Sequence, residues 1–490
     1  MNVNWTSEQV TFLECDDPII RIRAFAGAAK TTSLVGYTRL RPQKRFLYLA
    51  FNKSVREEAT ERFPRHVEAK TTHALAFAAV GIKYKHKLAP NLRLTDVANA
   101  IDSRNWGFVK IVVETLNNFM ASGDDCFNDD HLPAKSRDFI MGQNSAYLES
   151  IYTYAEFIWS KMIDPEDTEI PCLHDTYLKL FALSNPDLSK YDGILVDEAQ
   201  DTNPVTLSII LQQKKHSQLI FCGDSHQQIY SFRGACDALE HPELAGSTDL
   251  NLTNSFRFGP AVAQIANILL SFKGETRKVT GAGYRTQIKP TLPEDAPCPA
   301  YIHRTVMGVI DSALEHASKG KKIYWVGGLE AYSIGDLEDL HRLNSNEKDS
   351  VKNKRLLSDF SNFNQYMDMA EETHDPEMKR AVKIVQNYKN LSDKLRHLRK
   401  MTVKDENSAD VIVTTAHRCK GLEWDYVQLM DDFMDPLDRM MDTDTRSDEI
   451  NLLYVAATRA KKCLALNGVA IGMIREHTAR TKSGLPIPTS

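Results

Sequence analysis

The chain has 490 residues, a net charge of −5 at neutral pH, 42% apolar and 26% charged residues, which fits a globular protein of three or four domains. No apolar run approaches the roughly 20 residues needed to cross a bilayer, and the N-terminus lacks the basic and apolar segments of a secretion signal. Eight scattered cysteines without a C-x-x-C pair argue against a zinc ribbon, a disulfide framework or clustered iron–sulfur ligands and point to a reducing cytoplasm, while the acidic balance still permits a locally basic nucleic-acid groove.

The first element predicted is a strand at 19–25, followed by Ala24-Phe25-Ala26-Gly27-Ala28-Ala29-Lys30-Thr31-Thr32 and a helix start at Ser33-Leu34-Val35. Strand, small-residue turn, Lys-Thr and helix is the layout of a phosphate-binding loop. Backbone N–H groups and the helix N-terminus cradle phosphate oxygens, the lysine reaches the β/γ oxygens, and the threonine hydroxyl holds Mg²⁺. Glycine usually stands six residues and one residue before the lysine; here Ala24 and Ala29 occupy those positions. A Cβ at position 29 costs ~1–2 kcal/mol if the backbone there is left-handed. The competing reading is a bland turn between strand and helix.

Further strands are predicted at 45–51, 191–197 and 218–223, and a second set at 323–327, 411–415, 426–430 and 463–467. Strands alternating with helical patterns imply parallel sheets covered on both faces. The segment from about 80 to 185 reads as helical, with Phe108, Val109, Val112, Val113, Leu116 and Phe119 in a helical period. Lys83-Tyr84-Lys85-His86-Lys87 within it reads as a duplex-contacting loop or as a plain solvated one. A second helical, highly charged segment runs from about 310 to 405; Leu391, Leu395 and Leu398 share one face, with Lys394, Arg396, Arg399 and Lys400 expected on a solvated one. The stretch after about 470, with Gly484, Pro486 and Pro488, is expected to lack fixed structure.

The strand at 191–197 ends in Asp197-Glu198, which puts two carboxylates at the edge where parallel sheets bind ligands. There Asp197 would hold Mg²⁺ and Glu198 would polarise the attacking water. The next strand leads into Gly223-Asp224-Ser225-His226-Gln227-Gln228-Ile229-Tyr230-Ser231-Phe232-Arg233-Gly234-Ala235.

Taken together, these motifs resemble the UvrD/Rep group of superfamily 1 DNA helicases. The remaining motifs of that group are present in order: Glu8-Gln9, Asn254-Ser255-Phe256-Arg257, Thr414 to Asp425, and Leu453-Tyr454-Val455-Ala456-Ala457-Thr458-Arg459-Ala460. Phe51-Asn52-Lys53-Ser54, Lys70 to Phe77 and Ser255-Phe256-Arg257-Phe258-Gly259 are similar to the helicase part of F-box DNA helicases. The glutamine motif begins almost at Met1, so a bacterial or viral relative without an F-box is expected.

The resemblance implies a fold of two RecA-like α/β cores, each with a mainly helical insertion. The first core would span 1–80 and 186–252 around an insertion at 81–185. The second would span 253–305 and 406–490 around a small insertion at 306–405. It also implies ATP and Mg²⁺ as cofactors, held by Gln9, Ala26, Gly27, Ala28, Ala29, Lys30, Thr31, Thr32, Phe256 and Glu423, with Thr31 and Asp197 at the metal. Catalysis would fall to Lys30, Asp197, Glu198, Gln228, Arg257 and Arg459, with Gln228 sensing the γ-phosphate. Phe51, Asn52, His73, Tyr230, Phe232, Arg233, Thr415 and His417 would contact DNA. The expected function is an ATP-driven motor on single-stranded DNA and single-strand/duplex junctions, moving 3′→5′ as a monomer, alongside replication or recombination proteins and away from membranes. Two alternatives stand beside it: a translocase that strips proteins with little unwinding, and a nucleotide-gated single-strand binder whose hydrolysis Ala29 has impaired.

Overall fold

A computed structural model describes residues 4–230, 234, 236–388 and 390–488. Its first sheet contains β1 (Ile19–Ala24), β2 (Phe46–Leu49), β3 (Val67–Lys70), β4 (Gly193–Asp197), β5 (Gln218–Gly223) and β6 (Thr248–Leu252). These six strands are parallel and lie in the order β3-β2-β4-β5-β1-β6. Alternate residues feed opposite faces, as the period of a strand requires. Leu47, Leu49, Ile194, Val196, Leu219 and Phe221 pack under the helices Thr72–Ala79, His174–Leu183 and Pro204–Leu211. Ile20, Ile22, Phe46, Tyr48, Leu195 and Ile220 pack on the other face against the helices Ser7–Glu14 and Lys30–Arg39.

A short parallel pair, β7 (Asn254–Ser255) and β8 (Thr280–Gly281), leads into the second sheet. That sheet holds β9 (Gln287–Lys289), β10 (Ala300–His303), β11 (Ile323–Trp325), β12 (Thr402–Val403), β13 (Val411–Thr415), β14 (Trp424–Leu429) and β15 (Ala460–Ala465). Its order is β12-β11-β13-β10-β14-β15-β9, again all parallel. Ala300, Ile302 and Ile412 face the helices Pro260–Ser271, Thr443–Ala457 and Gly468–Lys482, whereas Val411 and Val413 face Val306–Ser318, Ile334–Asn344 and Leu391–Met401. The architecture is therefore α/β with two RecA-like parallel-sheet cores, each interrupted by helices.

The first insertion lies between β3 and β4 and has its own core, with Val109, Val112 and Leu116 packed on Ala155, Ile158 and Met162. Its last helix, His174–Leu183, belongs instead to the first sheet's covering layer. The second insertion is the helical stretch 326–401 between β11 and β12. The sequence boundaries at 306 and 405 differ from this: the helix Val306–Ser318, β11 and β12 belong to the second sheet, because Val309, Ile310, Ala313 and Ile323 bury against Val411 and Val413. The two insertions touch, through Lys110 Nζ donating to the Thr373 carbonyl at 2.5 Å and Arg93 pairing with Asp359 at 3.3 Å.

The stretch after 470 also departs from expectation. It forms the helix Gly468–Lys482, capped where the Ala470 N–H donates to Asn467 Oδ1 and anchored by the buried Ala470 and Met473. The prolines act only beyond its end. The loop at 83–87 is bound to its own core: Tyr84 donates to the Ile163 carbonyl, and Lys87 Nζ donates to the carbonyls of Lys161 and Asp164 at the end of the helix Ser145–Ile163.

Candidate nucleotide cleft between the two sheets

β1 ends at Ala24, and the chain turns through Gly27 (φ 74°) and Ala29 (φ 57°, ψ 39°) before the helix Lys30–Arg39. Position 29 is left-handed, so the cost of an alanine Cβ there applies. Ala29 precedes the helix without a side-chain cap, which leaves the first helical N–H groups without a side-chain acceptor. Gly27 is required by space as well as by φ. A Cβ there would stand 2.5 Å from Ser255 Oγ and 2.8 Å from Arg257 Cβ, both beyond the first sheet. The Phe256 N–H donates to the Gly27 carbonyl at 2.9 Å, so the loop and the Asn254–Arg257 segment lie against each other.

Lys30 opens the helix and its Nζ lies 3.4 Å from Glu198 Oε1. Burial opposes its charge, but the carboxylates of Glu198, Asp224 and Asp197 raise the ammonium above its ordinary range. Thr31 Oγ1 and Tyr48 OH both donate to Asp197 Oδ2, at 2.8 and 2.7 Å. Burial, and then the Glu198 charge, push the Asp197 carboxyl upward. Glu198 sits in left-handed backbone (φ 52°) and accepts from Gln200 Nε2 at 2.6 Å. Burial works against its ionisation, yet Lys30 and Lys420 hold it down to about 2. Two unlike carboxylates stand beside one lysine at the C-terminal ends of β1 and β4, an arrangement able to hold a phosphate chain and a cation.

The second core supplies arginines to the same place. Arg257 Nε donates to Glu423 Oε2 at 2.7 Å, and Nη1 reaches the Thr458 carbonyl at 3.5 Å. Arg459 is fully buried; its Nη2 donates to Gln227 Oε1 at 3.3 Å and its Nη1 to the Leu422 carbonyl at 3.2 Å. Burial and the neighbouring Arg257 lower its guanidinium to about 10. Phe256 is 43% exposed beside the loop, free to meet a planar ring. Gln9 is buried; its Oε1 accepts from the Thr6 N–H and its Nε2 donates to Ser33 Oγ, which ties it to the helix that starts at Lys30. Thr32 Oγ1 accepts from Arg62, and the Ala28 N–H closes the turn onto the Phe25 carbonyl.

Of the residues expected at DNA, three come together. Phe51, 49% exposed, stacks on Tyr230 at 5.9 Å, and Tyr230 OH donates to the His417 carbonyl across the cleft at 2.9 Å. The other described ones make contacts of their own. Asn52 caps the helix Lys53–Arg62 by accepting from the Val55 N–H, and Thr415 is buried at the end of β13. His73 pairs with Asp175 at 3.1 Å and meets Tyr177 edge-on. Phe232 and Arg233 lie outside the described residues.

Several site residues escaped the sequence reading. The glutamine whose side chain reaches Asp224 and Arg459 is Gln227; Gln228 gives its backbone carbonyl to Asn451. Lys420 crosses from the second core to pair with the buried Asp201, and its Nζ also donates to the Gln227 carbonyl at 2.6 Å. Tyr454 reaches the phosphate loop itself. Position alone could have singled out Lys420 and Tyr454, since both stand inside quoted motifs.

Two parallel sheets with a phosphate loop on one and paired arginines on the other define a two-core P-loop protein. Residues 5–238 match the family model described as UvrD/REP helicase N-terminal domain, and residues 333–469 match the UvrD-like helicase C-terminal domain. The chain belongs to the UvrD/Rep-type helicase family. Over 92% of its length it is 34% identical to F-box DNA helicase 1 of Gallus gallus, covering 47% of that protein. Over 94% it is 33% identical to F-box DNA helicase protein 1 of Schizosaccharomyces pombe, covering 57%. A stretch of 89 residues, 17% of the chain and 12% of the relative, is 33% identical to the mitochondrial ATP-dependent DNA helicase HMI1 of Saccharomyces cerevisiae. The chain thus spans about half the length of the F-box relatives it matches. No helix among the described residues is long and apolar enough to cross a membrane.

Proposed function

We propose that the chain is an ATP-dependent DNA helicase that moves on single-stranded DNA, 3′→5′, by hydrolysing ATP between its two cores. The observation that carries this reading is the convergence of Lys30, Asp197 and Glu198 from one sheet with Arg257 and Arg459 from the other. A γ-phosphate is the one ligand that both sets would hold at once.

The residues fit the nucleotide and its cation. The loop is too crowded at position 27 for a Cβ, the helix N-terminus is uncapped, and Thr31 and Asp197 already meet at 2.8 Å. Among the described residues no group of three His, Cys, Asp or Glu side chains could hold a metal. Mg²⁺ would rest on Thr31, Asp197 and phosphate oxygens, which is its habit in nucleotide sites. When bound it supplies charge neutralisation on the phosphates.

Lys30 binds the phosphate oxygens as a point charge, and the loop amides orient them. Glu198, kept ionised by Lys30 and Lys420, accepts a proton from the attacking water. Arg257 and Arg459 neutralise the transferred group, and Gln227, bonded to Arg459, takes the γ-phosphate-sensing role expected of Gln228. Phe256 stacks on the base and Glu423 orients the ribose. Phe51, Tyr230 and His417 offer a stacking row for unpaired bases, joined by the other expected DNA-contacting residues as the cleft closes.

Unwinding of duplexes tailed on either the 3′ or the 5′ side, with ATP and Mg²⁺, tests this reading. Strand release from the 3′-tailed substrate alone is expected. Release from the 5′-tailed substrate overturns the polarity. Displacement of a bound protein from single-stranded DNA without duplex unwinding would favour the stripping translocase. Single-strand affinity without turnover would favour the gated binder.

A further inference from the structure

Tyr454 stands on the helix Thr443–Ala457 of the second core, five residues before Arg459, and its side chain is fully buried. Its hydroxyl does two things at once. It accepts from the Ala26 N–H of the phosphate loop at 2.9 Å, and it donates to Asp224 Oδ2 at 3.0 Å. Asp224 is itself a junction. Its Oδ2 also accepts from Gln227 Nε2 at 2.7 Å, and its backbone N–H donates to Gln200 Oε1 at 2.9 Å. Gln200 completes the path through Nε2, which donates to Glu198 Oε2 at 2.6 Å.

An unbroken chain of hydrogen bonds therefore runs from a second-core helix to the loop that would hold phosphate and to the carboxylate that would take the proton. We propose that Tyr454 is a positioning residue: its hydroxyl fixes the phosphate loop and, through Asp224 and Gln200, Glu198, only when the two cores are together. The proposal deepens the reading of the cleft as an ATP site and rests on it.

Three features separate this role from simple packing. The phenol bridges two first-core groups from across the cleft, whereas the helix it stands on is already held by Ile450, Leu453 and Val455 within the second core. Asn451, one turn earlier, grips the Gln228 carbonyl at 2.8 Å, so the helix meets the 224–228 segment at two points. Burial raises the Tyr454 phenol well above its ordinary range, which keeps it a neutral donor at working pH.

The test compares Tyr454→Phe with the wild-type chain in steady-state ATP hydrolysis, with and without oligo-dT, alongside thermal melting and fluorescent-ATP binding. The ring is retained, so the core stays filled and one hydroxyl is lost. We expect DNA-stimulated kcat to fall about tenfold or more while KM for ATP moves less than about threefold. A DNA-stimulated kcat within about twofold of wild type overturns the proposal. If the variant melts early, the rate is referred to its nucleotide-binding fraction. A normal rate per competent site overturns the proposal, and a reduced one upholds it. A wild-type chain that turns over no ATP overturns the reading of the cleft and the proposal together, whereas a wild-type ATPase indifferent to Tyr454→Phe overturns the proposal alone.

Discussion

In the first core, β1 runs through residues 25–29 into a helix whose N-terminus carries no side-chain cap. In the second, β10 runs through Arg304 and Thr305 into the helix Val306–Ser318, whose N-terminus is filled by the protein itself. Asp432 accepts from the N–H groups of Arg304 and Thr305, both at 2.9 Å, and from Thr305 Oγ1 at 2.7 Å. Thr305 Oγ1 in turn accepts from the Gly308 N–H, and a Cβ on Gly308 would stand 2.4 Å from Asp432 Oδ2. A helix N-terminus at the edge of a parallel sheet attracts anions in either core. What separates the two is whether a resident carboxylate already occupies the place. In the second core that seat is taken by Asp432, and the side chains it presents to the proposed cleft include Arg257 and Arg459.

The division of labour can be broken from either side. Removing the arginines takes away the second core's share of the chemistry: Arg459→Ala or Arg257→Ala is expected to lower kcat for ATP by about 10³-fold or more, read in steady-state hydrolysis. Removing the resident anion should touch stability and leave the nucleotide site alone. Asp432→Ala leaves three donors without their acceptor and is expected to cost about 2 kcal/mol, read as earlier melting with KM for ATP unchanged.

On the first side, the sign of a pH effect tests the pairing of Glu198. Lys30 and Lys420 depress its carboxyl from 4.5 to about 2, so its contribution to stability is present above about 4.5 and is lost as pH falls toward 2. Glu198→Gln should therefore be less stable than wild type at neutral pH by on the order of 1–2 kcal/mol, with the deficit shrinking over that acid window in urea titrations. The smallest effect concerns the loop itself. Ala29→Gly relieves a left-handed alanine and should stabilise by about 1 kcal/mol or less, because glycine also loses more backbone freedom on folding.

Much of this was written in local sequence. The strand that ends in Asp197-Glu198 and the Lys30-Thr31 pair suggested a nucleotide site through short-range spacing, whereas the arginines at 257 and 459 entered only through the resemblance to the helicase family. β3 and β6 were missed because edge strands carry polar residues: Glu68 and Lys70 in one, Asp249 and Asn251 in the other. β10, central in its sheet, has only four residues and no alternating pattern. The helix after 468 was hidden because its buried face amounts to Ala470 and Met473. Gln227 and Gln228 are adjacent and identical in type; the side chain that reaches Arg459 is that of Gln227. Tyr454 looked like one more apolar position, and the partners of its hydroxyl lie more than 200 residues away.

The central claim is that Lys30 and the arginines of the other core close on one phosphate when DNA is bound. ATP hydrolysis by the wild-type chain and by Lys30→Ala, each with and without single-stranded DNA, tests it most directly. The account predicts strong stimulation by DNA in the wild type and a rate at least about 10³-fold lower in the variant, with the fold and DNA affinity kept. DNA-stimulated turnover that survives in Lys30→Ala, or a wild-type chain that binds DNA and hydrolyses nothing, would contradict it.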